Sequence, residues 1–326
     1  MERSLTSLKY TNDIDYLVPK KGHTSRKFLA YIKRYWPLYV MLLPVIIYLF
    51  IFNYVPMGGL SLAFKDFDPW LGIWDSPWAT TNGALDLGKH FREVFDNPLW
   101  WDSFGITMKI SALRLVVGFF IPIIMTILLT EIKSKRFSKG FQIISYLPHF
   151  ISWIVVYGIL IALQSSGSPL EKAGIFSDPD VFLWLVIFTN IWKEAGWSTI
   201  IYFAAAASIN PELYEAASID GASRWKRILK VTLPGLVPAI SINLILQASG
   251  FVYGGFDQIF AMTANATNKA VLPYVNITDI LLYTQGITGS NVEFATIIGL
   301  FNSGVSFILV LLSNFIIKKI GGDGLW

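Results

Sequence analysis

Four ionisable side chains stand inside otherwise apolar runs of this sequence: Lys109, Arg114, Lys193 and Glu194. Charges are costly at membrane depth and are kept there where they pair, line a wet cavity or meet a cargo. "NIWKEAGW" sets Lys193 beside Glu194. Neighbours on a helix point about 100° apart, so each of the two needs a partner on another element or in water. Three cations against one carboxylate allow a passage of positive potential suited to anionic cargo. They also allow a plainer arrangement, in which Lys109 reaches the outer interface and Arg114 or Lys193 pairs with Glu194. A third use of Lys193 and Glu194 is an ion relay, as in an ion-coupled secondary transporter.

Catalytic readings fare poorly. His23, His90 and His149 lie on different segments, and there is no cysteine, which argues against a metal or general-base cluster. Asp66 and Asp68 in "KDFDP" form a D-x-D pair on the side expected to face outward, away from cytosolic nucleotide sugars. No G-x-x-x-x-G-K-[ST] is present, so ATP phosphates have no P-loop here.

The elements that carry these residues are membrane helices. The chain has 326 residues, 54% of them hydrophobic and 15% charged, where soluble domains carry about 25% charged residues. Six segments reach the roughly 20 apolar residues that a bilayer core requires: 36–55, 105–130, 141–163, 181–207, 233–252 and 294–317. Lys and Arg number eight before the first of these, then four, four and two in alternate connections; the remaining connections hold three, one and one. That alternation predicts both termini in the cytoplasm. The predicted fold is an all-α integral membrane domain over 36–317, with a cytoplasmic tail over 1–35 and another over 318–326. In the first tail, "RKFLAYIKRYW" reads as a basic amphipathic helix for the inner leaflet. The external connection 64–104 is acidic and rich in Trp; Trp70, Trp74, Trp78, Trp100 and Trp101 suit a membrane-interface belt, a sugar platform or a partner contact.

Polar groups within the spans mark a candidate path. Ala239, Asn243, Gln247, Gly250 and Gly254 share one helical stripe in the fifth span, downstream of Pro234 and Pro238, which favour a kink. The alternative is that Asn243 and Gln247 serve as interhelical glue. Ala295, Gly299 and Ser303 form a ridge of small residues in the sixth span, and Asn302 beside it suits either packing or the path.

One cytoplasmic connection, 210–231, is more elaborate than a link between spans requires. Asn210-Pro211 reads as an N-cap with Pro at the first helical position, "PELYEAASI" as a short helix, Asp220-Gly221 as a tight turn, and "ASRWKRILK" as a second helix. "EAASIDGA" followed by "LP" resembles the EAA signature of ABC-importer permeases. Glu215, Ala216, Ala217, Asp220, Gly221, Ala222, Leu233 and Pro234 match it. The sequence most resembles the maltose-importer type of carbohydrate permease, in its polysaccharide-uptake branch. "YVPMGGLSLAFKDFDP", "PIIMTILLTEI", "FATIIGLFNSGVSFILVLLSN" and the terminal "GLW" share in that resemblance.

The resemblance implies a type I ABC-importer permease fold in a bacterial cell membrane. It also implies that 210–231 forms coupling helices docked into two separate nucleotide-binding subunits, with Glu215 at the docking surface and Gly221 permitting the turn. ATP and Mg would then bind those subunits, and this chain would hold no cofactor. A second related permease, an extracytoplasmic sugar-binding protein, an oligosaccharide cargo and membrane lipid complete the implied partners, without nucleic acid. The expected path residues are Asn243, Gln247, Gly250, Lys193, Glu194, Arg114 and Asn302.

Overall fold

A computed structural model describes residues 25–164, 167–322 and 324. The chain divides into two units, Met1–Gly59 and Leu60–Trp326. Tail residues 1–24 and the side chains of 25–30 and 32, which carry most of the amphipathic reading, lie outside what is described, as do Leu325 and Trp326.

In the first unit a helix runs from Ser25 to Leu49, with non-helical backbone at Tyr35 (φ −109°, ψ 17°) shortly before Pro37. Wider turns continue it over Phe50–Tyr54. Every side chain from 36 to 57 is exposed, although the composition is strongly apolar, as suits a helix whose solvent is lipid. Tighter turns over Val55–Phe64 carry the chain into the second unit.

The second unit opens with the Trp-rich connection, which is ordered by its charges. Lys65 is buried, and its ammonium donates to the carbonyls of Ile73 (2.9 Å) and Trp74 (2.7 Å), 5.3 Å from the Trp78 ring. Asp66 accepts from Lys89 (2.7 Å) and from the Thr80 N–H (3.2 Å). Burial pushes its carboxyl up, but these partners outweigh that and hold it below the ordinary carboxylate range. Thr80–Thr81 pairs with Ala84–Leu85 across Asn82-Gly83, both in the left-handed region at φ 53° and 79°, as a two-residue hairpin turn demands. The all-α expectation therefore misses one small hairpin.

The helices that follow start on local signals. Asn97 caps Pro98–Glu131 (3.0 Å to the Leu99 N–H), Asp178 caps Pro179–Ser208 (2.9 and 3.1 Å to the N–H groups of Asp180 and Val181), and Asn291 caps Val292–Lys319 (3.0 Å to the Phe294 N–H). Pro98–Glu131 packs along Pro179–Ser208 more extensively than any other pair of elements. Ile110, Phe182, Val186 and Ile187 are buried between these helices and the segments over 256–281.

Among the described residues, four helices are long and apolar enough to cross a membrane: Lys33–Phe64, Pro98–Glu131, Arg224–Ser249 and Val292–Lys319. The expected span 141–163 is not one helix. Lys135–Phe150 and Trp153–Leu163 meet at 97°, and count as a fifth crossing if taken together. Pro148 lies in the turn before the break, and Ser152 caps the second piece with 3.4 Å to the Val155 N–H. Pro179–Ser208 has the length, at 30 residues, but Asn190, Lys193 and Glu194 dilute its apolar character. The expected separate helix "ASRWKRILK" is instead the first part of a continuous helix: Arg224–Arg227 passes through a π turn over Ile228–Thr232 into Leu233–Ser249. Pro234, lacking an N–H, removes one rung of the α-helical ladder at that junction.

Beyond Gly250 the chain folds into short helices over Phe256–Met262, Leu272–Val275 and Thr278–Leu281. Gly254 lies in this connection, not on the helical stripe to which the periodicity assigns it. Asp279, in the same connection, accepts a hydrogen bond from the Gly254 backbone. Gly196 supplies a test of the packing. A methyl there would overlap the Ser145 carbonyl, so Gly196→Ala should cost about 1–3 kcal/mol, against the usual helical gain of Ala over Gly. Gly118→Ala, where a methyl would meet Ile191 at an ordinary 3.5 Å, should not lower the midpoint.

Candidate functional site

A cavity of about 320 Å³ lies between three helical walls. Pro98–Glu131 contributes Ser111, Arg114, Leu115, Gly118 and Pro122; Pro179–Ser208 contributes Asn190, Ile191, Glu194, Ala195 and Ser198. Asn243, Gln247, Gly250, Phe251 and Tyr253 form the third wall, from the end of Leu233–Ser249 and the turn after it. The lining is mixed: amides and hydroxyls, one guanidinium and one carboxylate stand among Leu115, Pro122, Ile191 and Phe251. Its polar groups can exchange hydrogen bonds with a hydroxyl-rich ligand, while the apolar side chains cover the faces of such a ligand's rings.

Five of the seven expected path residues meet in these walls: Arg114, Glu194, Asn243, Gln247 and Gly250. Asn243 is mostly buried, with its amide donating to the Tyr202 hydroxyl at 2.6 Å, so it serves as glue while also touching the cavity. The other two lie elsewhere. Lys193 is buried and turned away from the cavity, with its ammonium donating to the carbonyls of Pro148 (3.4 Å) and His149 and standing 5.5 Å from the Trp153 ring. Asn302 is buried against Thr278, donating to its hydroxyl at 3.3 Å. Thr278 in turn takes part in a network with Thr107.

Neither cation pairs with Glu194, contrary to the plainer arrangement expected. Arg114 donates to the Gly254 carbonyl and to Gln258 Oε1 (2.7 Å), and Glu194 lies 3.0 Å from His149. Arg114 also fills the space beside Gly255, where a methyl would come within 2.6 Å of a guanidinium nitrogen and the backbone is left-handed at φ 85°. Lys109 is exposed. The sequence reading missed Ser111, Asn190, Ser198 and Tyr253 as lining residues. Ser111 and Asn190 fall on the faces that Arg114 and Glu194 already mark, at i+3 and i+4 spacing, and that periodicity was the available signal.

In the connection 210–231, Pro211–Ile219 is a helix capped by Asn210, which accepts from the Glu212 N–H at 3.0 Å. Gly221 turns the chain at φ 71°, a conformation that costs Gly little and other residues more. Glu215, Ala216, Asp220 and Gly221 are exposed, Ala217 and Ala222 partly so. Tyr214 braces the helix against the next one through Thr232 (3.0 Å), and Arg227 donates to Ser218 (3.0 Å). Leu233 and Pro234 sit where the π turn gives way to regular helix. Ile219 and Trp225 are left exposed beside the turn. In the Trp-rich connection, Trp70, Trp74, Trp78 and Trp101 are exposed, whereas Trp100 is fully buried, edge-on to Phe301 at 5.1 Å. Trp100 is therefore packing, and takes no part in an external platform. Among the described residues no group of His, Asp or Glu is arranged to hold a metal ion.

Residues 118–321 match the family described as binding-protein-dependent transport system inner membrane component. The polygalacturonan/rhamnogalacturonan transport system permease protein YteP of Bacillus subtilis (strain 168) is 35% identical over 323 residues, 96% of this chain and 97% of that protein. A crystal structure of a bacterial ABC transporter involved in the import of the acidic polysaccharide alginate contains a chain 34% identical, with TM-score 0.79 over 90% of this chain and 99% of that one. A second, of the bacterial alginate ABC transporter in complex with alginate pentasaccharide-bound periplasmic protein, gives TM-score 0.78 at 34% identity, over 90% of this chain and 98% of that one.

Because the native sequence lacks cysteine, single thiols can report which side chains face water. Gln247→Cys should react with a water-soluble thiol reagent in membrane vesicles. Asn302→Cys should react about an order of magnitude more slowly, as buried thiols do. Equal rates would remove the cavity as the water-filled feature of this bundle.

Proposed function

This chain belongs to the family of binding-protein-dependent transport system inner membrane components, and from that membership we propose that it is the permease of an ATP-driven importer of acidic oligo- or polysaccharide fragments. It is a multi-pass membrane protein with a type I ABC permease fold. The carbohydrate assignment is supported by the similarity to permeases from systems for polygalacturonan, rhamnogalacturonan and alginate. It is also supported by a cavity whose lining suits hydroxyl-rich cargo. The finer topology of the proposal has six crossings, with the bent pair and Pro179–Ser208 each counted as one, and both termini in the cytoplasm. The alternating Lys and Arg counts support it.

The observation that carries the mechanism is the exposed, rigid helix–turn–helix at 210–231, continuous with a wall of the cavity. On this reading the Pro211–Ile219 helix docks into a separate nucleotide-binding subunit, two of which bind and hydrolyse ATP with Mg. Glu215 lies at that contact, and Gly221 holds the turn that presents it. Closure of the two subunits displaces the docked segment, and Arg224–Ser249 transmits the displacement to Asn243, Gln247 and Gly250. A second related permease completes the pathway, and an extracytoplasmic sugar-binding protein delivers the cargo to the outer face. An ion relay through Lys193 and Glu194 gains nothing from the geometry, since Lys193 is bound to backbone carbonyls away from the cavity.

Affinity purification from the native membrane, with co-purifying proteins identified by mass spectrometry, tests this. The unaltered chain should recover an ATPase subunit bearing a Walker-A motif. Glu215→Ala and Gly221→Val should each lower that recovery by about tenfold, the size of effect expected at the centre of an interface. Absence of any ATPase under gentle extraction would sink the importer reading and favour an ion-coupled secondary transporter.

A further inference from the structure

The break between Phe150 and Trp153 lies outside the cavity, yet two adjacent residues of Pro179–Ser208 hold it. Lys193 grips the backbone, donating to the carbonyls of Pro148 and His149. Both lie in the last turn before the break, where helix carbonyls run short of intrahelical donors; Pro148 keeps one, the Ile151 N–H at 3.1 Å, and Lys193 adds a second. Glu194 takes the side chain of the same segment, with Oε2 3.0 Å from His149 Nδ1. An ionised carboxylate can only accept, so Nδ1 carries the proton in this contact. The imidazole face stacks on Trp197, one turn further along, at 4.4 Å between centroids and 6° between planes. Phe150 stands edge-on to the same indole at 5.9 Å. The ring is thus fixed by its backbone, its face and its edge. The carboxylate it holds is a cavity wall residue, with its side chain 39% exposed.

We propose that His149 is a positioning residue for the cavity: from the helix break it engages the Glu194 carboxylate and so sets how negative that wall is towards a passing cargo. With Glu194 engaged, the Arg114 guanidinium on the facing wall leaves the cavity tolerant of anionic cargo. With Glu194 released, the same unit charge is no longer held towards the helix break, turns into the cavity and opposes such cargo. The proposal rests on reading the cavity as the transport path, and it assigns the bent pair a part in selectivity that a simple crossing helix would not have.

The test measures the cavity's charge without needing its cargo. Ser198→Cys places the chain's one thiol on the cavity wall, one turn from Glu194. In membrane vesicles holding the full complex, its reaction rates are measured with an anionic methanethiosulfonate (sulfonatoethyl) and a cationic one (trimethylammonioethyl). His149→Phe keeps an aromatic face for Trp197 and removes the donor. It should shift the rate ratio towards the cationic reagent by about fivefold, typical of coupling within one hydrogen-bonded network. His149→Asn, with an N–H near the Nδ1 position, should restore most of the original ratio. In a Glu194→Gln background, His149→Phe should leave the ratio unchanged. A merely structural role would alter both rates together. An unchanged ratio, the same shift in the Glu194→Gln background, or a thiol inert to both reagents would each overturn the proposal. A shifted ratio in a complex that imports no saccharide would uphold it and count against the importer reading alone.

Discussion

A lysine ammonium buried in a membrane bundle must find oxygen atoms, and in this fold Lys193 finds them on backbone. Helix carbonyls are free only at a helix end or a break, so the cation and the break between Phe150 and Trp153 require one another. Straightening the bent pair would return the Pro148 and His149 carbonyls to the helical ladder and strand the ammonium. Neutralising the ammonium would take from the His149 carbonyl the donor that holds it. The close crossing beside this point, where Gly196 leaves room for the Ser145 carbonyl, keeps the two helices near enough for the grip. The direction of Trp153–Leu163 and the wall that Glu194 presents both follow from where this cation is satisfied.

Arg114 repeats the solution on the opposite wall. Its guanidinium is taken up by the Gly254 carbonyl and by Gln258, just past the end of Leu233–Ser249, where the chain leaves its helix. Each buried cation is therefore matched to a place where the backbone departs from regular helix, and neither neutralises the carboxylate. Irregular backbone at membrane depth is tolerated where protein groups or a wet cavity satisfy it. Here the irregular segments and the cavity are neighbours for that reason. The cavity's charge is thereby left to Glu194 and its imidazole partner.

Features with local causes were readable in the sequence. Asn210-Pro211 and Gly221 specify a cap and a turn through their own backbone chemistry, and the helix Pro211–Ile219 has the bounds that chemistry predicts. The stripe of Asn243, Gln247 and Gly250 follows from helical period alone, and fails at Gly254, where the helix has already ended. The bend near Ile151 depends on Lys193, which is distant in sequence, so hydropathy joined 141–163 into one span. Pro148 and the capping Ser152 were the local traces of the break, but such residues also occur in unbroken membrane helices. The direction of Lys193 was equally hidden: a charge next to Glu194 in an apolar run could face either side, and only the position of the broken helix decides it. Trp100 shows the same limit from the other direction, since composition marks it as interfacial and packing against Phe301 buries it.

The unbroken course of Arg224–Ser249 bears on how force would travel on the proposed reading. Two helices joined by a loop would absorb a push at the cytoplasmic end in the loop's dihedrals. One helix of 26 residues is about 39 Å long at 1.5 Å per residue, and it ends on the residues that line the cavity. The π turn at Ile228–Thr232 is the place in this rod where the ladder is irregular. Thr232 is braced there by Tyr214 of the preceding helix, so the short helix and the rod are held together at the rod's weakest register. A displacement of Pro211–Ile219 would then reach Asn243 and Gln247 through a stiff body, while the facing walls stay tied to each other and to the bent pair. The cavity would change because one wall moves against two that are locked, which places the opening between Leu233–Ser249 and the helix carrying Glu194.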